Sequence, residues 1–317
     1  MHQSFSPTKV KMKKSSLKYS VYLSLFISIV SFLILVISDS IILLMNPSFI
    51  VRIIVLVISA LFMGISLTVG ILIFNPVLSE AMATLRRLLR IESLSNPLLL
   101  RLSAKASGTY HHSINVSTLA QKAARTIGAD SLLVRTAAYY HDIGKLENPS
   151  LFIENQKGEQ IPTEDDADSI RKDSKGIISH VEDGVRIAKK YKLPENIIDA
   201  IVEHHGTTRA LYFYGRAKEK GLKIKRTDFK YNGPVPQSKE SAILMLADCV
   251  EATARSIQSP DAEQINKIVD DTISERVAEK QFVNSKLSDK EISQIGTSLK
   301  ETLLSIYHQR IEYSKNA

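Results

Sequence analysis

The chain has 317 residues, enough for one large or two modest domains, and carries a formal net charge of +8. Its single cysteine, Cys249, excludes an internal disulfide framework and fits a reducing compartment; the residue itself reads as a small buried apolar side chain. Composition is uneven: residues 19–74 are mostly apolar, and the sequence after about residue 80 reads as a soluble helical protein.

Residues 1–18 form a basic tail in which Lys9, Lys11, Lys13, Lys14 and Lys18 precede an uncharged run from Tyr19 to Ser38. As a helix that run is about 30 Å long, the thickness of the hydrocarbon core. A second apolar run extends from about Ile53 to Phe74. The link between them, with Asp39, Asn46, Pro47 and Ser48, is too short for an external domain. Basic residues flank both outer ends, the lysines on one side and Arg86, Arg87 and Arg90 on the other. Residues 19–74 are therefore predicted to be a two-helix transmembrane hairpin with both termini in the cytosol. Residues 75–107 read as a connector, with an amphipathic Leu/Arg-rich stretch at Thr84–Ile91.

Helix signals dominate from residue 108 onward. Asp130 caps a predicted helix over Ser131 to about His141. Ser179 and Glu182 fit a capping box for a helix from His180 to Tyr191. Pro194 opens the next helix and Gly206 closes it, directly after His204–His205. Ser238 starts a helix through Leu244, Leu246 and Val250, and Ser259–Pro260 opens another. Ser288 with Glu291 forms a second capping box before a long final helix. Glu164–Lys175 and Lys223–Gln237 read as irregular connections. No segment gives strand alternation, and no internal repeat is present.

Six of the eight histidines fall between residues 111 and 205. His112, His141–Asp142, His180, His204–His205 and Asp248 supply imidazole nitrogen and carboxylate oxygen, the donors that divalent transition metals take. These candidates are too many for one tetrahedral zinc and suit two divalent ions that share a bridge, for which Asp142 has the two oxygens. Asp248 follows the apolar run Leu244–Met245–Leu246–Ala247, and a buried carboxylate needs a counter-ion. Lys145 is either a partner for phosphate charge or a solvated lysine favoured by the helix dipole. His111 reads as a hydrogen-bonded structural residue, and His2 and His308 carry no assignment.

Gly108-Thr-Tyr-His-His-Ser113, Tyr139-Tyr-His-Asp-Ile-Gly-Lys145, Glu203-His-His-Gly-Thr-Thr208 and Met245-Leu-Ala-Asp248 resemble the HD-domain phosphohydrolase superfamily. More narrowly they resemble the membrane-bound cyclic-di-AMP phosphodiesterases of the seven-transmembrane HD type (PgpH-like), from about Asn96 to Gln309. The resemblance implies an all-α HD-domain helical bundle over residues 108–317, with His112, His141, Asp142, His180, His204, His205 and Asp248 as metal ligands. It implies iron or manganese as the ions, and Lys145 with Asp142 as the catalytic pair. Two spans are predicted here where the family carries seven and an external domain. The G-Y-P signature of the cyclic-di-GMP branch does not follow the paired histidines; Gly206-Thr-Thr-Arg-Ala-Leu-Tyr-Phe-Tyr214 stands there instead.

The expectation is a membrane-anchored phosphodiesterase at the cytosolic face that hydrolyses cyclic-di-AMP to the linear dinucleotide pApA. Its partners are the cyclic dinucleotide and the lipid bilayer, with no DNA or RNA polymer; a homodimer is compatible with the reading. Tyr212 and Tyr214 are candidates for stacking on adenine or, alternatively, for packing in a helix core. Two rivals are an HD nucleotidase acting on another nucleotide and a non-hydrolytic nucleotide-binding membrane receptor.

Overall fold

The computed structural model describes residues 48–65, 90–156, 167–223 and 225–314, with isolated positions 26, 30, 33–34, 36–37, 40–41 and 68. The basic tail, most of the first predicted span, the end of the second, most of the Thr84–Ile91 stretch and the start of the Glu164–Lys175 loop lie outside the described residues. The chain divides into two units, Met1–Arg90 and Ile91–Ala317. In the first, residues 49–65 are helical, and their large apolar side chains face outward all round, among them Phe49, Ile50, Ile54, Val57, Leu61 and Ile65. Among the described residues no helix is long and apolar enough to cross a membrane.

The second unit is all-α among the described residues, apart from one isolated bridge between Arg209 and Lys230. Its helices are α1 (Pro97–Lys105), α2 (Ser107–Thr126), α3 (Ser131–Tyr140), α4 (Ala167–Ile178), α5 (His180–Lys190), α6 (Glu195–Glu203), α7 (Leu211–Glu219), α8 (Lys239–Ser256), α9 (Ala262–Ala278) and α10 (Asp289–Ser314). Helix α1 falls within the predicted connector, and its Leu98, Leu99 and Leu102 are buried in the core of this unit. Helices α2 and α8 run through the middle. The apolar face of α2 (Val116, Leu119, Ala120, Ala123) packs with that of α8 (Ile243, Leu244, Leu246, Val250) and with Ile295, Leu299 and Leu303 of α10. Small residues on α2 let its neighbours approach closely, and alanine favours the helix itself.

The caps explain several boundaries. The Asp130 carboxylate accepts from Leu132 N at 3.1 Å and Leu133 N at 2.9 Å, which starts α3. Ser238 Oγ accepts from Ser241 N at 3.1 Å at the head of α8. Ser288 and Glu291 form their reciprocal box ahead of α10. Three expectations are corrected. Ser179 has helical dihedrals because α4 runs almost directly into α5, and its hydroxyl donates back to Gly176 O at 2.9 Å instead of capping α5. The charged stretch 167–175 is helical: Ile170 and Ser174 are buried one turn apart while the charged residues line the outside. The cap of α9 is Asp261, boxed with Gln264, rather than Ser259.

Candidate metal centre

Three helix ends converge at one place. His141 and Asp142 follow α3, where the chain turns into a single 3₁₀ turn, Ile143–Leu146. His180 opens α5, and His204 caps the end of α6, with His205 following it. Ligands at helix ends reach a common centre without a charge being buried inside one helix. Gly206 takes φ +52°, which lets the chain reverse directly after the pair. His112 from the middle of α2 and Asp248 from α8 complete the ring. Every one of these residues except His205 is buried.

Asp142 sits at the centre, and its two oxygens face different histidines. Oδ2 lies 3.2 Å from His141 Nε2 and 3.6 Å from His112 Nε2. Oδ1 lies 3.3 Å from His180 Nε2 and 3.8 Å from His204 Nε2. Asp248 Oδ1 is 3.0 Å from His112 Nε2 and 3.8 Å from His141 Nε2, and its Oδ2 is 3.8 Å from His205 Nδ1. Three overlapping sets have ligand atoms close enough to hold an ion: Asp142–His180–His204–His205, His112–His141–Asp142, and His141–His204–Asp248. All the predicted ligand positions therefore meet in one cluster.

The rings are oriented from behind. His141 Nδ1 donates to Ala138 O at 2.8 Å, His180 Nδ1 to Ile177 O at 2.6 Å, and His204 Nδ1 to Ile201 O at 2.8 Å. A carbonyl can only accept, so each Nδ1 carries the hydrogen and each Nε2 is aimed at the cluster. This arrangement fixes the tautomer of a metal-binding histidine. His141 Nε2 and Asp142 Oδ1 are buried yet have no hydrogen-bond partner. A buried polar atom without a partner is costly, and a divalent cation would satisfy both atoms. The nitrogen and carboxylate donors fit divalent metal binding.

The electrostatics agree with a site built around cations. Burial favours the neutral forms of Asp142 and Asp248, but Lys145 and His141 for the first, and His112 and His141 for the second, hold both carboxylates well below the usual range. Burial lowers His141, yet Asp142 and Asp248 outweigh it and raise it to about 10. His112 is raised in the same way, by Asp248 and Glu251 against burial. His204 falls to about 3, through burial and then the neighbouring His141; His180 and His205 are also lowered, chiefly by burial. Burial thus favours neutral imidazoles at His180, His204 and His205, while Asp142, Asp248 and Glu251 favour positive charge at the His112–His141 side of the cluster.

Three residues missed by sequence reasoning support the cluster. Glu251 accepts a short hydrogen bond from His112 Nδ1 and is itself held by Asn115 Nδ2 at 3.1 Å. It stands one helical turn after Asp248, a spacing that could have pointed to it. Glu154 pairs with Lys145 Nζ at 2.8 Å, while Asp142 Oδ2 holds the same ammonium at 2.7 Å and the Phe152 ring lies beneath it at 4.8 Å. The two carboxylates raise the Lys145 pKa above its ordinary value in spite of burial. Tyr231 stacks on His205 with ring centroids 4.2 Å apart. Tyr212 and Tyr214 are elsewhere: Tyr212 is 68 % exposed, and Tyr214 packs with Phe229 in a small separate cluster. His111 is exposed.

Residues 109–253 match the family model described as HD domain. A solved structure of the Listeria monocytogenes phosphodiesterase PgpH HD domain in complex with cyclic-di-AMP superposes with a TM-score of 0.64 at 42% identity, covering 68% of this chain and 100% of that one. The chain belongs to the HD-domain family. The chain is also 43% identical over 227 residues to the cyclic-di-AMP phosphodiesterase PgpH of Bacillus subtilis (strain 168), covering 72% of this chain. The same identity holds over 230 residues, 73% of this chain, to PgpH of Listeria monocytogenes (strain 10403S). The chain spans 32% of the length of each of these relatives. The all-α architecture around the His/Asp cluster is the one expected of an HD domain.

Proposed function

We propose that the chain is a metal-dependent phosphodiesterase that hydrolyses cyclic-di-AMP to the linear dinucleotide pApA. The observation that carries the reading is the dinuclear-type cluster around Asp142, in a domain that aligns with the whole of a relative's HD domain solved with cyclic-di-AMP. His112, His141, Asp142, His180, His204, His205 and Asp248 would hold two divalent ions, iron or manganese, with Asp142 shared between them. When bound, such ions supply Lewis acidity toward the phosphate oxygens and an activated water. Lys145 stays protonated between Asp142 and Glu154 and neutralises charge that gathers on the phosphate oxygens in the transition state. Glu251 holds His112 through Nδ1, which leaves Nε2 facing the cluster.

Chromatography of products from cyclic-di-AMP, cyclic-di-GMP, linear dinucleotides and dNTPs tests this directly. Formation of pApA from cyclic-di-AMP, abolished by His141→Ala/Asp142→Ala in a variant that keeps its helical content, is expected. Undiminished turnover by that variant removes the proposal, and tight binding without product favours a receptor. The outward apolar side chains of residues 49–65 and the apolar run before them support a membrane hairpin with the HD domain in the cytosol. Retention in the membrane fraction after carbonate washing is expected; recovery in the soluble fraction would contradict it.

A further inference from the structure

We propose that Gln281, in the turn that ends α9, is a positioning residue for the metal ligand His205; this rests on the metal-centre part of the reading above. The ring of His205 is held differently from those of His141, His180 and His204. Each of those three donates Nδ1 to a carbonyl three residues back. His205 turns Nδ1 toward Asp248, 3.8 Å away, so that bond is not open to it. One face of its ring leans on Tyr231. The rest of its placement comes from the backbone that carries it, the segment Gly206–Arg209.

Gln281 grips that segment, and it is buried. Its Oε1 accepts from Thr207 N at 3.0 Å, and its Nε2 donates to Thr207 Oγ1 at 3.0 Å and to Glu279 O at 3.1 Å. The amide is thus used at both ends, and its oxygen holds a peptide N–H two residues after His205. The contact is also steric: a Cβ on Gly206 would run into Gln281 Oε1. Gln281 faces inward because of how α9 stops. Lys280 takes φ +56°, Lys280 N donates to Val277 O at 2.9 Å, and Gln281 N donates to Arg276 O at 3.0 Å, which is a helix closed by a left-handed residue. Glu279, on the same turn, accepts from Arg209 Nη2 at 3.1 Å and from the buried Arg276 Nη1 at 2.8 Å. Thr207 and Arg209 are therefore both tied to one turn. The consequence is selective. His205 belongs to the ligand set Asp142–His180–His204–His205 and to neither of the other two sets. Loosening its segment should weaken that half of the centre and spare the half made by His112, His141 and Asp142.

The test is titration of the metal-free full chain with Mn²⁺ against a competing chelator, for the wild type, Gln281→Met and Arg209→Ala. Methionine keeps the length of the side chain and removes its hydrogen bonds. Arg209 is half-buried, so its replacement cuts the second tie without touching the core. Gln281→Met is expected to weaken one of two bound ions by about 10–100-fold, the scale on which groups behind the ligands act on a metal site, and to leave the other unchanged. Arg209→Ala is expected to weaken the same ion to a smaller degree. A glutamine that serves the fold alone would lower Tm and weaken both ions alike, and that result overturns the proposal. So does wild-type affinity for both ions in Gln281→Met or, where that variant does not fold, in Arg209→Ala. A wild-type chain that takes up no Mn²⁺ overturns the metal-centre reading instead, and the two failures are thereby distinct.

Discussion

Gly144 is the residue through which the His141–Asp142 turn touches the start of α5, and replacing it with alanine tests how the cluster is held together. A Cβ at this position would overlap the carbonyl oxygen of His180 outright and lie 2.6 Å from Gly184 N. These obstacles are backbone atoms, so no side chain can rotate away. The Ile143–Leu146 turn and α5 must move apart, and His180 must withdraw from Asp142, whose Oδ1 it now approaches at 3.3 Å. Overpacking of this kind costs ~1–3 kcal/mol, and contact with rigid backbone places Gly144→Ala at the upper end. For a unit of this size ~3 kcal/mol lowers Tm by about 6–12 °C. Differential scanning calorimetry and elemental analysis of the purified variant measure both consequences. The expected outcome is that fall in Tm together with loss of at least half of the bound metal. Gly215→Ala serves as a control: nothing lies within 4 Å of the added carbon. It should leave Tm unchanged or raise it, since alanine favours a helix interior by about 1 kcal/mol. A Gly144→Ala protein with wild-type Tm and metal content would refute the reasoning.

Other outcomes follow from the same geometry. Glu251→Ala removes the acceptor for His112 Nδ1 and should weaken metal binding by about 10–100-fold in a competitive chelator titration; unchanged affinity would show that His112 needs no support. Lys145→Ala takes away the ammonium between Asp142 and Glu154 and should lower kcat by ~10²–10³ with a much smaller change in metal content. Wild-type kcat would return Lys145 to a purely structural role. Burial, followed by the charge of Asp248, pushes the Cys249 thiol up to about 12. A raised thiol pKa means less thiolate at any lower pH, so at pH 8 alkylation of the folded chain by iodoacetamide should be slower than that of free cysteine by about three orders of magnitude. Mass spectrometry follows the reaction, and rapid modification would contradict the raised pKa of this partly buried thiol.

The cluster was legible because its residues are of rare type and sit where chain signals end helices: His141–Asp142 after a capped helix, and His204–His205 before Gly206. The caps at Asp130, Ser238 and Ser288 were legible for the same local reason. Ser179 was misread because a capping box is a pattern of four residues, whereas α4 running into α5 is a tertiary outcome. The helix over 167–175 is hidden in the sequence because charges surround the two residues it buries, Ile170 and Ser174, and one of those is polar. Glu154 and Tyr231 left no trace in spacing. Each reaches its partner, Lys145 or His205, across an irregular segment whose path local propensity does not fix. Of the two readings of Tyr212 and Tyr214, stacking on adenine or packing in a helix core, Tyr214 takes the second, because α7 carries it against Phe229.

Elemental analysis of the full chain, purified without oxygen, tests the central claim most directly. The account predicts close to two iron or manganese ions per chain and fewer than one in an Asp142→Ala variant, because both halves of the cluster share that carboxylate. Wild-type protein that takes up no divalent metal, or an Asp142→Ala variant that binds as much as the wild type, would contradict it.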